Sequence, residues 1–236
     1  SKWWQSFDGT FTPCLGKIQG LNMNDRSDAA INFFPEFETL YGLIANEIGT
    51  LSDEQLDYTS DNWEWAGWSI RNQMSHMALL IPVWLVLRWG STIFPLEDHG
   101  ITNIKKITQS KSDRRLDDDI YWEINELSCL LNQFINLAIR VLQDNSLEFL
   151  ASKKIDRDAT PQWEMMAKAH PHGVTSEGTP AKGSMTLEAT MRHIYFEEIT
   201  HLYNIQRLKK AQGLPINSVV PEVGYWTLED WDRSEP

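Results

Sequence analysis

Apolar residues recur at spacings of three and four through four long stretches of the chain, and each stretch predicts an amphipathic α-helix. The first leaves an N-cap region at Ser27 and Asp28 and runs through Ile31, Phe34, Phe37, Leu40, Tyr41, Ile44 and Ile48. Gly49 and Thr50 end it, and Ser52 opens a short capped turn. The second begins after Gly67 with Ser69 as N-cap. It continues through Ile70, Met74, His76, Met77, Leu80 and Ile81 to about Trp89. Pro82 lies inside it, removes a backbone hydrogen bond and predicts a kink. The third starts near Asp113 or Asp117 and carries the stripe Ile120, Ile124, Leu127, Leu131, Phe134, Leu137, Ala138 and Val141 to about Gln143. The fourth starts at Ser184, with Glu188 placed to help cap it, and runs to about Gln212. Gly213 and Pro215 are its stop signal.

Between the helices the pattern is irregular. Residues 1–26 form an arm without a clear period, packed through Trp3, Trp4 and Phe7. Residues 91–112 and 151–183 read as loops, and residues 216–236 as a tail with Tyr225, Trp226 and Trp231 among acidic residues. Almost no strand signal is present. The expected fold is all-α, a four-helix bundle over residues 27–215 flanked by arm and tail. In such bundles ligand and metal sites are made by side chains facing inward from neighbouring helices.

Composition narrows the function. The chain has 236 residues, 42% of them hydrophobic, which suits one domain with a substantial core. Its formal charge of −12 disfavours nucleic acid and anionic membranes as partners, because both need a basic footprint. The densest basic stretch, Lys105, Lys106, Lys111, Arg114 and Arg115, runs straight into Asp117, Asp118 and Asp119 and reads as a solvated loop. Cys14 and Cys129 form no CxxC motif and no disulfide framework, and Cys129 reads as a small core residue. The longest apolar run, Met77 to Trp89, is broken by Pro82 and Arg88 and is too short to span a bilayer. No basic segment followed by an apolar one opens the chain, so a cytoplasmic location is the default expectation. Phosphate loops, GxSxG and HExxH motifs are missing from the sequence, which argues against nucleotide-dependent and serine-hydrolase chemistry.

The candidate chemistry lies on the fourth helix. His193, Glu197 and His201 are each four residues apart. Residues i and i+4 differ by about 40° and about 6 Å along a helix, so neighbours in this series can grip one ion. His193 and His201 stand about 12 Å apart along the axis and cannot share it. The pair is therefore His193/Glu197 or Glu197/His201. A third ligand must come from elsewhere, and His76, set among apolar residues of the second helix, is the candidate. A His/Glu/His set suits Zn²⁺, Fe²⁺, Ni²⁺ or Mn²⁺. A Glu with a His at i+4 is also a common surface pair, so spacing alone leaves the bland reading open.

The segment Trp68-Ser69-Ile70-Arg71-Asn72-Gln73-Met74-Ser75-His76 resembles the Trp-[Ser/Thr]-x-Arg-x-x-x-x-His segment of the DinB/YfiT-like superfamily of metal-binding four-helix bundles. In that family the histidine is a metal ligand, which implies the same for His76. The family's fourth helix carries His-x-x-x-His with a glycine about twelve residues on. His201, with Gly213 following it, matches the last histidine, and Glu197 falls where the preceding histidine usually stands. Glu198 matches a glutamate often found beside it. The resemblance thus implies His76, Glu197 and His201 as the ligands and leaves His193 to packing or support. Glu for His and Tyr203 for the usual Gly are the departures; a carboxylate adds negative charge and lowers the Lewis acidity of the ion.

The resemblance further implies a metal-dependent enzyme acting on a small molecule, a thiol-dependent transferase or isomerase, with a low-molecular-weight thiol as cosubstrate. A bound cation favours thiolate over thiol, and thiolate is the nucleophile. A metal-dependent hydrolase and a noncatalytic ligand- or partner-binding bundle are the alternatives. Trp63, Trp65, Trp68, Trp84 and Trp89 suggest a pocket wall. Arg71 and Arg192 can bind a carboxylate but read as surface residues. His170 and His172 lie in the long loop, as a lid or as a solvated segment. A homodimer is compatible with the exposed aromatics expected of such a bundle.

Overall fold

A computed structural model describes residues 27–158, 160–179 and 182–236. The arm expected at residues 1–26, with Trp3, Trp4, Phe7 and Cys14, lies outside the described residues. The described chain is predominantly helical, as the periodicity predicts, with one small two-stranded ribbon.

The first helical stretch is divided. A 3₁₀ turn at Ala30–Phe33 precedes α1, Phe37–Ile48. Phe34 leaves helical dihedrals (φ −131°, ψ 48°) because the residue before Pro35 is pushed out of the α region. The short α2, Asp53–Leu56, is capped reciprocally by Ser52 and Gln55. A 3₁₀ turn at Glu64–Ala66 leads to α3, Ile70–Pro82, where Ser69 caps Asn72 and Asn72 reaches back. Pro82 marks a change of helix type instead of a simple kink, and residues Val83–Arg88 continue as a π-helix. The loop expected at 91–112 contains α4, Gly90–Ile93, and α5, Ile104–Thr108.

The third long helix, α6, spans Ile124–Asp144, later than the sequence pattern suggests. Asp117 turns the chain first: its carboxylate accepts the Asp119 N–H, and the side chain thereby competes with helix formation. Ile120 falls outside the helix and is exposed. The expected loop at 151–183 is also more ordered than its composition implies. After α7, Leu147–Ser152, strand β1, Lys154–Asp158, pairs antiparallel with β2, Lys182–Thr186, and α8, Pro161–Ala169, lies between them. Ser184 therefore sits in a strand, and the fourth long helix, α9, Leu187–Ala211, is capped by Thr186. Gly213 takes a left-handed φ of +69° just past its end, where a glycine is strain-free.

The core forms between α1, α3, α6 and α9: α3 packs on α6 and α9, and α1 packs on the same two helices. The tail returns over α9 through a 3₁₀ turn at Gly224–Thr227. As a result α9 is buried nearly all round and carries buried polar side chains at Thr190, His193, Glu198, Gln206, Arg207 and Lys209. Lys209 and Glu47 form an ion pair inside the fold, and Glu47 also accepts from Gln206 and from the backbone of Asn217 and Ser218.

Two expectations, Arg71 at the surface and Cys129 as a small core residue, need correction. Arg71 is buried, gripping Asp53 and Asp57 and lying over the Trp122 ring. Cys129 is half-buried, and no described cysteine is a free thiol, so it is not a plain core residue. Among the described residues, no helix is long and apolar enough to cross a membrane.

Candidate metal centre

Helix α9 presents Glu197 and His201 one turn apart toward α3, which presents His76. The three side chains converge. Glu197 Oε2 lies 3.4 Å from His201 Nε2 and 3.8 Å from His76 Nε2. One donor atom from each residue falls within 4.8 Å of the other two, and the set can hold a metal ion. His193, one turn earlier on α9, is outside this group, as helix geometry requires.

The ring tautomers follow from what the far nitrogens do. His76 Nδ1 lies 2.6 Å from the carbonyl oxygen of Arg114, and His201 Nδ1 lies 2.5 Å from Gln73 Oε1. Both partners only accept, so both Nδ1 atoms donate. Each neutral ring then turns the lone pair of its Nε2 toward Glu197. Three Lewis bases thus face one another with no proton donor between them, an arrangement that a cation relieves. The spacing fits as well, since two ligands about 2.1 Å from a tetrahedral ion stand roughly 3.4 Å apart. Imidazole rings tied through the second nitrogen to a carbonyl are the usual support of metal-ligating histidines.

In both of its states the centre keeps Glu197 anionic: lone pairs facing it call for a cation, and rings that instead carry a proton on Nε2 donate to it, so that His201 and His76, with His193 behind them, outweigh burial and hold its pKa well below the ordinary range. Burial pushes the His201 imidazole down, which keeps its Nε2 available as a ligand. The side chains of His76, Glu197 and His201 are 12%, 19% and 13% exposed, so the centre is enclosed but reachable.

Trp68 closes one side, 5.2 Å from the His76 ring and 6.2 Å from the His201 ring. Arg114 and Arg115 lie over that indole at 4.9 and 5.4 Å. The basic stretch is therefore not merely solvated: it braces Trp68 and supplies the carbonyl to His76. Arg114 does so from a left-handed backbone, φ +53°, unusual for a residue with a side chain. A cavity of about 600 Å³ opens beside His201, walled by Trp65, Trp68 and Trp231 with Asn204 and Arg207. That size suits a small organic molecule. A second cavity of about 490 Å³, between Phe33, Phe34, Tyr195 and Phe196, contains none of the three candidate ligands.

Behind the centre lies a buried polar chain that the sequence does not announce. Tyr225 Oη stands 2.5 Å from His193 Nδ1 and 3.0 Å from His170 Nε2. Gly224, with φ +71°, brings Tyr225 in; a Cβ there would meet the Phe196 ring at 2.5 Å. His170 is fully buried and stacks on Phe196, so it is neither a lid nor part of a solvated loop. Burial above all lowers His170 to about 3 and His193 to about 4; the charge of Glu197 opposes the shift at His193 without reversing it. Glu198, next to Glu197, is outside the group and fully buried, and neither carboxyl oxygen has a hydrogen-bond partner among the described residues. Burial, and then Glu197, push its pKa well above the ordinary range.

The other residues raised by the sequence are placed as follows. Trp65 and Trp68 line the cavity, whereas Trp63 stacks on Trp65, Trp84 packs against His193, and Trp89 is buried with its indole N–H donated to Thr190. Arg192 is half-buried and pairs with Glu188, and its guanidinium reaches the carbonyl of His172. No protein-family model matches the chain, and neither the curated proteins nor the solved structures contain a match.

Proposed function

We propose that the protein is a divalent-metal-binding four-helix bundle of DinB/YfiT type, formed by α1, α3, α6 and α9, that acts on a small molecule. The observation that carries the reading is the convergence of His76, Glu197 and His201 with both Nδ1 atoms committed to carbonyl acceptors. These three residues would hold the ion. When bound, such an ion supplies a Lewis acid that favours the anionic form of a substrate's thiol or hydroxyl.

The chain's own residues do the rest. Gln73 and Arg114 fix the two rings, Trp68 shields them from bulk water, and the cavity beside His201 admits the substrate. Thiol-dependent transfer or isomerisation is the chemistry that fits best with the Trp68-to-His76 segment, and hydrolysis is the second reading. The exposure of the three ligands supports an enzyme over a purely structural metal site, because structural sites are closed.

Metal content after purification without chelators tests the centre. The expected result is about one equivalent of a divalent ion, lost in His76→Ala. A metal-free protein whose thermal midpoint ignores added Zn²⁺, Ni²⁺ and Mn²⁺ would refute it. Consumption of a low-molecular-weight thiol in the presence of electrophiles then separates transfer from hydrolysis, which proceeds without thiol.

A further inference from the structure

Two arginines stand apart from the others. Arg88 ends the π-helix, and Arg157 lies on β1. Their guanidinium carbons sit 3.9 and 5.8 Å from the centroid of one ring, the buried indole of Trp84. Every other described arginine has a hydrogen bond or an ion pair: Arg71, Arg114, Arg115 and Arg192 to carboxylates, Arg140, Arg207 and Arg233 to carbonyls. Among the described residues, Arg88 and Arg157 have neither.

This is a costly arrangement in a chain of net charge −12. Both side chains are half-buried, and Arg157 shares with Ile155 the more buried face of β1, whereas Lys154 and Asp156 are exposed. Burial, and after it the charge of Arg157, lower the Arg88 pKa to about 10, and no acid among the described side chains offsets either effect. Stacking on an indole satisfies the flat face of a guanidinium but leaves its in-plane N–H donors free. Those donors are the ones that recognise planar or tetrahedral oxyanions.

We propose that Arg88 and Arg157, braced on Trp84, form a binding site for a doubly charged oxyanion. The anion neutralises two cations held near each other and takes up their idle donors. The site is separate from the metal centre in residues and in chemistry, although His193 links them: its ring meets Trp84 edge-on at 4.9 Å, one turn before Glu197. It stands whether or not the centre holds metal.

Calorimetry at pH 8 and constant ionic strength tests it, with inorganic phosphate, sulfate and succinate as probes and acetate and chloride as controls. The expected result is saturable binding of at least one dianion, at least tenfold tighter than acetate. Preference for phosphate and sulfate identifies a tetrahedral ligand; preference for succinate identifies a dicarboxylate. Arg88→Met and Arg157→Gln should each weaken binding at least tenfold with the helical circular dichroism retained. Arg157, on the ribbon, gives the variant less apt to disturb the core. Binding should persist in His76→Ala. Dianions that bind no better than acetate, binding unchanged in Arg157→Gln, or binding lost in His76→Ala would each overturn the proposal.

Discussion

The amide oxygen of Gln73 lies 2.5 Å from Nδ1 of His201, across the interface between α3 and α9. This contact selects the tautomer whose Nε2 lone pair faces Glu197. Gln73 is itself buried and sits one turn before His76 on the same helix, so one short segment supplies one candidate ligand and the support for another. Gln73→Leu should weaken Zn²⁺ or Co²⁺ binding by about 10- to 100-fold, the usual cost of losing such a support. Gln73→Glu should retain most of it. Calorimetric titration of the two variants checks this, and equal affinities would show that the contact does not orient the ligand.

Glu197 stands where the proposed reading expects a histidine, and its position suits either donor. It stands one turn before His201, with its oxygen 3.4 Å from Nε2. Glu197→His should keep an ion bound, with one negative charge fewer at the centre and a stronger Lewis acid. Glu197→Ala should lose it. Metal retained equally by Glu197→Ala would remove Glu197 from the ligand set.

Arg114 contributes its carbonyl, not its charge, to His76, and it does so at φ +53°. A residue with a Cβ pays roughly 1–2 kcal/mol for that conformation, whereas glycine does not. Arg114→Gly should therefore leave metal affinity within about threefold, at most losing the stacking on Trp68. Arg114→Pro, which cannot adopt a positive φ, should lower affinity sharply. Metal titration of the pair discriminates a backbone role from a side-chain role.

Much of this was legible before the fold. The three- and four-residue periods found α1, α3, α6 and α9, and the cap residues Ser52 and Ser69 make the reciprocal bonds their types suggest. Spacing on one helix excluded a joint role for His193 and His201. The ribbon was hidden because Lys154–Asp158 and Lys182–Thr186 are short and polar, with no β-branched run to mark them. It is held instead by strand pairing, with Met185 buried beneath and the Trp163 indole donating to the Thr175 carbonyl nearby. Gln73 carried a faint signal, a polar residue three before His76. Arg114, Tyr225 and His170 stood out in the sequence only as members of a basic stretch, a tail and a loop, and their actual roles were hidden, since only the folded chain brings a loop carbonyl and a tail residue to α3 and α9.

The Lys209–Glu47 pair ties the end of α9 to α1 and, through Ser218, to the start of the tail. Its side chains are 1% and 0% exposed. Removing one member strands the other as a buried charge, at a cost of about 3–5 kcal/mol. Lys209→Met should lower unfolding free energy by that order in urea denaturation. Metal affinity measured below the unfolding transition should be unchanged, because the pair is remote from the centre in sequence and contacts none of its residues.

Acid stability follows from the buried histidines. His170 and His193 are held at about 3 and about 4, below the ordinary 6.5, chiefly by burial. Both are neutral in the fold at pH 5, while the unfolded chain has already taken up their protons. Stability from these two groups is therefore fully present above about pH 6.5 and falls as the pH drops toward 4. Each pKa unit of depression is worth about 1.4 kcal/mol between the two states, so the loss should reach several kcal/mol. Chelator-dialysed protein is the right sample, because release of an ion from His76 and His201 would add its own acid dependence. Its thermal midpoint should decline steadily between pH 6.5 and 4. In His170→Phe, which keeps the stacking on Phe196 but loses one titrating ring, the slope of that decline should be shallower. A midpoint that is flat over this range, or a slope unchanged in the variant, would mean that the His170–Tyr225–His193 chain admits protons without unfolding.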